Sequence, residues 1–319
     1  MAGTKGAHSV EDVLNSIFSA TYLAAILRIS TPLLLPSLAA LISVKAGVIN
    51  IGLEGMMLIA AFTGATIGGV LQNALIGALA GLLAAMLTAL LLAFFHLSLR
   101  GDLILGGIAI NILGSAATVA IGYQLSGARA IGLDVPPISL PELDLPFLRS
   151  VPLIGETLYT AIGRQNVLVW SALLSAFGVA FLFYRLPFGV HLRAVGENEQ
   201  AAASVGIQVR RTRYIALLLS GLLAGIGGIY MSMGYLNSFS RDMTAGRGYI
   251  ALVIPALGGY TPLGTLIAAL LFGAFAALET RLGSFDVPSQ LPQMIPYLAT
   301  LIALTLYAWR RRQTAHPAS

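Results

Sequence analysis

Three polar side chains, Lys45, Asn50 and Glu54, lie within or beside long apolar sequence and are the first candidates for chemistry. Asn50 and Glu54 are four residues apart, so on a helix they share a face. Ionisable groups at membrane depth are costly and normally face a cavity or a partner. Gly47, Gly52 and Gly55 around them permit an unwound turn or tight packing. Two readings follow. Asn50 and Glu54 form a polar site at a broken helix along a solute pathway, or Glu54 is a lock, paired with Lys45 or with backbone amides. Asn111 stands alone in apolar sequence, with Gly107 four residues before it and Gly114 three after. A lone Asn in such a helix either joins two helices or offers a hydrogen bond to a polar solute in transit.

A second group lies in residues 186–213. Asn198 can cap a short helix and Gly206 can end it. Glu197 and Glu199 suit a helix N-terminus. The expected helix spans 198–205 and is ~12 Å long. Its small face, with Ala201 and Ala202, fits a groove on another protein; the alternative is an ordinary amphipathic surface helix. Further on, Asn237, Ser238, Arg241, Asp242, Thr244 and Arg247 form a polar mouth, which docks a binding protein, lines an entrance, or is a solvated loop.

The elements that must position these residues follow from composition. Hydrophobic residues make up 57% of the chain and charged residues 10%, against about 25% charged in a soluble domain. With a mean hydropathy of +0.86, most of the surface must face hydrocarbon. The pattern predicts an all-α polytopic bundle, a single membrane domain over residues 1–319. Ten spans are expected, near 14–30, 31–48, 52–70, 74–97, 103–123, 165–184, 214–235, 248–259, 262–281 and 292–309. The eighth is too short to cross ~30 Å of hydrocarbon, and Pro32 and Pro36 interrupt the second. Broken segments are tolerated where protein or a water-filled cavity satisfies the freed backbone, and in transporters they mark the pathway. Pro36 as a simple kink, and eight or nine spans with a re-entrant hairpin, also fit.

Arginines in short loops set the orientation. Arg185, Arg193, Arg210, Arg211 and Arg213 place the 185–213 loop in the cytoplasm, and Arg310, Arg311 and Arg312 place the tail there. The 124–164 loop balances three Arg with four acids and belongs outside, its five prolines suggesting an extended cap and no helix. Both termini are then cytoplasmic.

Several classes are excluded. The basic residues form no face with aromatic platforms, so nucleic acid is not a partner. With no Cys, thiolate chemistry and disulfides are absent. No cleavable signal peptide is apparent. No Gly-x4-Gly-Lys-[Ser/Thr] loop, nucleophile elbow or His-Glu-x-x-His motif occurs, so neither ATP hydrolysis nor other catalysis is expected of this chain.

The 186–213 segment resembles the ATPase-coupling loop of bacterial ABC-importer permeases of the branched-chain amino acid, ribose and nucleoside family. The matching residues are Phe188-Gly189, the run from Arg193 through Gly196 and Glu197 to Asn198, Ala201-Ala202 and Gly206-Ile207. Gly47 to Met57, Met243 to Leu252 and Pro262-Leu263-Gly264 are similar to the family's other signatures, and point to the shorter permease type of its nucleoside (purine-lipoprotein-linked) branch. The resemblance covers most of residues 30–310. Glu199 stands where Pro is usual, and Leu257 to Thr261 replaces the usual Phe-Gly-Arg/Lys-Trp stretch.

The resemblance implies a type II-like importer permease of the bacterial inner membrane, without a cofactor. Its partners would be a cytoplasmic ABC ATPase, a second permease subunit (identical or paralogous) and an extracytoplasmic solute-binding protein. Arg193, Gly196, Glu197, Asn198, Ala201, Ala202 and Gly206 would meet the ATPase, and Asn50, Glu54 and Asn111 would line the pathway. A nucleoside is the expected solute. A simple sugar or a branched-chain amino acid is the alternative within this class, and a stand-alone secondary transporter is the alternative outside it.

Overall fold

The computed structural model describes residues 19–126, 138–152, 155–282 and 305. In chain order the helices are α1 (Ala20–Lys45), α2 (Leu53–Leu71), α3 (Ala74–Leu97), α4 (Leu103–Ser126), α5 (Gly155–Leu158), α6 (Val167–Arg185), α7 (Pro187–Glu197), α8 (Glu199–Ser204), α9 (Val209–Ile229), α10 (Arg247–Leu257) and α11 (Pro262–Leu282). A turn of π-helix, Tyr230–Tyr235, prolongs α9. Two short strands, β1 (Glu142–Asp144) and β2 (Arg164–Asn166), pair with each other. Among the described residues seven helices are long and apolar enough to cross a membrane: α1, α2, α3, α4, α6, α9 with its π turn, and α11.

The expected first and second spans are one helix. α1 runs through Pro32 and Pro36 for 26 residues, about 39 Å at 1.5 Å per residue. A break would need polar turn residues to satisfy freed backbone groups, and residues 31–36 offer Thr, Pro and three buried leucines. Each proline removes the N–H that would bond the carbonyl four residues back, at Arg28 and Pro32, and the helix nonetheless continues with both prolines buried among its neighbours. The Ser30 and Ser37 hydroxyls bond within the same helix, donating to the Ile26 and Leu33 carbonyls, both at 2.6 Å. The eighth expected span is the half-length α10, and the tenth lies outside the described residues.

Two compact units can be separated: Thr31–Pro141 with Asn166–Ala269, and the described parts of Met1–Ser30, Glu142–Gln165 and Leu270–Ser319. In the first, α2, α3 and α9 form the centre, and α4 lies against α2. Small residues set the spacing, as they must where lipid supplies no hydrophobic drive between helices. A methyl group at Gly77 would come within 2.6 Å of the Gly64 carbonyl oxygen, and one at Gly228 would overlap the Met57 carbonyl. On α3, Leu75, Leu79, Leu83 and Leu87 recur every four residues and are exposed. That stripe is apolar enough to face hydrocarbon.

In the second unit, the Arg164 guanidinium pairs with Glu142 at 2.7 Å, joining β2 to β1. The Tyr159 hydroxyl donates to Asp144 at 2.8 Å. That bond, chiefly, raises the Tyr159 pKa above the usual phenol value. The expected helix-free cap is corrected here. Pro146–Ser150 is a 3₁₀ turn and residues 155–163 are helical. Pro146 opens its turn, at the position where the missing N–H costs no bond.

Candidate functional site

The site is built where two helices begin inside the bundle. α1 ends at Lys45, and residues 46–52 turn back as an extended stretch before α2 starts at Leu53. Gly47, at φ +74°, makes the reversal. Asn50 is wholly buried, and its amide nitrogen donates to the Ser220 hydroxyl at 2.9 Å. Ser220 lies eleven residues into α9, roughly 16 Å from that helix's start. The stretch therefore reaches well inside the bundle.

Side chains satisfy its backbone. The Asn50 carbonyl oxygen accepts from Gly52 N–H at 3.1 Å. Asn111, reaching across from α4, accepts from Gly55 N–H at 2.8 Å and donates to the Ile51 carbonyl at 2.9 Å. Gly55 lets α4 approach, because a methyl there would overlap the Ile110 carbonyl. Asn50 and Asn111 thus hold the break, and their polar groups are already engaged.

The second broken element comes from the other half of the chain. After α9 the chain turns back along α2: Phe239 is buried and meets Phe62 edge-on, with ring centroids 5.2 Å apart. By Thr244 it has reached Glu54, eight residues earlier on α2 than Phe62, a descent of ~12 Å. α10 begins there. Its far end brings Tyr260 to Lys45, whose ammonium sits 5.9 Å from the ring centroid.

Glu54 joins the two breaks. Its carboxylate accepts from the Thr244 hydroxyl at 2.6 Å, Gly246 N–H at 2.8 Å and Gly248 N–H at 2.6 Å. Gly246 is the N-cap of α10, in the left-handed region at φ +78°. A carboxylate in the first turn of α2 therefore also neutralises the positive end of α10. Of the two sequence readings, the backbone-amide lock describes the bonds Glu54 makes, and Lys45 is engaged elsewhere. The mouth residues divide. Arg241 and Asp242 are exposed and paired at 3.4 Å, and Asp242 also accepts from Ser115 at 2.7 Å. Thr244 is buried on Glu54, and Arg247 folds back on the Met243 and Thr244 carbonyls. Sequence reasoning did not foresee the Glu54–Thr244 contact, because 190 residues separate the partners.

At the end of the bundle where α1 finishes, α7 and α8 form a two-helix hook. Asn198 caps α8 by accepting from Ala201 N–H at 2.9 Å, and Gly206, at φ +86°, follows the helix end. α8 has six residues, ~9 Å, a little shorter than expected. Ala202 turns inward; Glu197, Gln200, Ala201 and Ala203 are exposed. Arg193 bonds the Gly189 carbonyl on its own helix at 3.3 Å, and its guanidinium lies 5.7 Å from the centroid of the Tyr184 ring on α6. A methyl group at Gly196 would overlap the Lys45 carbonyl, so this glycine sets how closely the hook meets the end of α1. Beside α8 a groove of about 420 Å³ is lined by Phe188, His191, Val205, Ile207, Arg211 and Ile215.

Spanning helices, a short capped hook at one end and two helix starts meeting inside the bundle, one of them that of the half-length α10, define a multi-pass membrane transport subunit. Residues 22–304 match the family model described as branched-chain amino acid transport system / permease component, and the chain belongs to that family. It is 35% identical to the guanosine ABC transporter permease protein NupQ of Bacillus subtilis (94% of each chain covered). With the nucleoside ABC transporter permease protein NupC of Lactococcus lactis it shares 31% identity, over 89% of this chain and 91% of that one. The glucose ABC transporter permease protein TsgB13 of Haloferax volcanii is 28% identical, over 91% and 77%. Among solved structures, PsaBC from Streptococcus pneumoniae in complex with Fab superposes with a TM-score of 0.51 at 17% identity, covering 92% of this chain and 95% of that one, a likeness of fold. The protein is a permease subunit of an ABC importer.

Proposed function

We propose that this subunit admits nucleosides, driven by a separate cytoplasmic ATPase that grips α8, with an extracytoplasmic binding protein delivering the solute and a second permease completing the pathway. The observation that carries the solute class is the occupancy of α10's N-terminus. Helix starts inside transporters serve anionic solute groups, but here Gly246 and Gly248 give their N–H groups to Glu54. That arrangement leaves an amino-acid carboxylate without these donors and favours an uncharged solute. Among uncharged solutes, the 47–57 and 243–252 signatures and the likeness to NupQ and NupC favour a nucleoside over a sugar. Asn50, Glu54 and Asn111 shape the pathway by holding its broken elements. Arg241, Asp242 and Arg247 form the outer mouth, and the hook residues Arg193, Gly196, Glu197, Asn198, Ala201, Ala202 and Gly206 form the ATPase-facing end.

The test is uptake of labelled nucleosides and of ribose by the complex reconstituted with its ATPase and binding protein. ATP-dependent nucleoside uptake, competed by other nucleosides and not by ribose, is the expected result. Ribose uptake in its place moves the substrate to the sugars. Uptake that persists without an ATPase overturns the mechanism.

A further inference from the structure

Arg213, in the first turns of α9, touches two elements at once. Its guanidinium pairs with Glu199, the first residue of α8, at 2.8 Å. The same guanidinium donates through Nε to the Ala46 carbonyl at 3.3 Å, the first carbonyl of the stretch that turns back into the bundle. The Arg213 side chain is 16% exposed and the Glu199 side chain 56%, so the link runs from the surface hook to the buried break. Around it the fit is tight: a methyl at Gly47 would lie 3.3 Å from the Gly196 Cα and 3.4 Å from the Arg213 guanidinium. From Ala46 the extended stretch continues to Asn50 and Gly52, then to Glu54 and the start of α10.

We infer that Arg213 is the positioning residue that transmits movement of the ATPase-gripped helix to the broken elements of the pathway. The inference rests on the proposed docking of the ATPase at α8. A displaced α8 pulls Glu199, Glu199 draws Arg213, and Arg213 carries the Ala46 carbonyl and the stretch behind it. The two bonds need Arg specifically. Its planar fork donates in two directions at fixed geometry, whereas a Lys ammonium is a point charge that serves one acceptor well.

The measurement is solute taken up per ATP hydrolysed in the reconstituted complex. Arg213→Ala lowers that ratio by about tenfold, within the range of coupling between linked sites, and Arg213→Lys lowers it less. Glu199→Gln also lowers it, and the E199Q/R213A double variant is no worse than R213A, because both changes cut one link. A parallel fall in uptake and hydrolysis, leaving the ratio intact, shows a merely structural residue and overturns the inference; so does additivity in the double variant. The chain contains no Cys, so Ala201→Cys reports docking by itself. Its crosslink to the ATPase supports the docking on which the link depends. No crosslink in the otherwise unaltered chain overturns the docking and the link together, whereas a crosslink with an intact ratio in R213A overturns the link alone.

Discussion

Glu54 carries a carboxylate into the bundle and meets three donors, two of them amides at the start of another helix. Hydrogen bonds to a charged group contribute about 1.5–3 kcal/mol each, and leaving buried donors unpaired costs on the order of 1–3 kcal/mol. Allowing for its partial exposure, Glu54→Ala destabilises the solubilised protein by about 2–4 kcal/mol. Glu54→Gln costs less, since its carbonyl oxygen still accepts. Thermal unfolding in detergent checks the order; an Ala variant as stable as the parent would sink the lock. Asn111→Ala frees Gly55 N–H and the Ile51 carbonyl together. The folded yield falls, while the KM of the surviving complexes stays near that of the parent, because the Asn111 amide is already engaged within the protein. A KM raised tenfold at undiminished yield would return Asn111 to direct solute contact.

At the scale of elements, contact surfaces depend on how near two backbones come. Gly228→Ala drives a methyl into the Met57 carbonyl, and Gly55→Ala drives one into that of Ile110. Both variants lose most of their folded yield, judged by monodispersity on size exclusion. Gly178, on α6, has nothing within 4 Å of its missing Cβ. Gly178→Ala is neutral or slightly stabilising, since Ala favours a helix by about 1 kcal/mol over Gly. All three are glycines in apolar runs, and only the position of the neighbouring helix separates them. If G178A failed and G228A folded, the packing of α9 on α2 would be wrong.

For the molecule as a whole, sidedness follows from α9. Val209–Tyr235 is long and apolar enough for a single crossing, so the α7–α8 hook and the exposed residues 236–238 lie at its opposite ends. The loop arginines lead us to expect the hook in the cytoplasm. Gln200→Cys is therefore labelled by an impermeant maleimide only from the cytoplasmic side, and Ser238→Cys only from the other. Both positions are exposed. Labelling of both from one side would break the assignment of α9 as a crossing.

Sequence by itself determined the solvent, the helical class, the hook with its Asn198 cap and Gly206 terminus, and the interruption near Asn50. Each depends on local composition or on residues within a few positions of one another. The signatures at 47–57 and 243–252 also stood out. That they meet is a tertiary fact: Glu54 finds Thr244, Gly246 and Gly248 across about 190 residues, and no periodicity encodes that distance. The same holds for Pro32 and Pro36, which read as a break by propensity. Burial of α1 kept the helix whole, because inside a bundle neighbours, not propensity, decide whether a proline ends a helix.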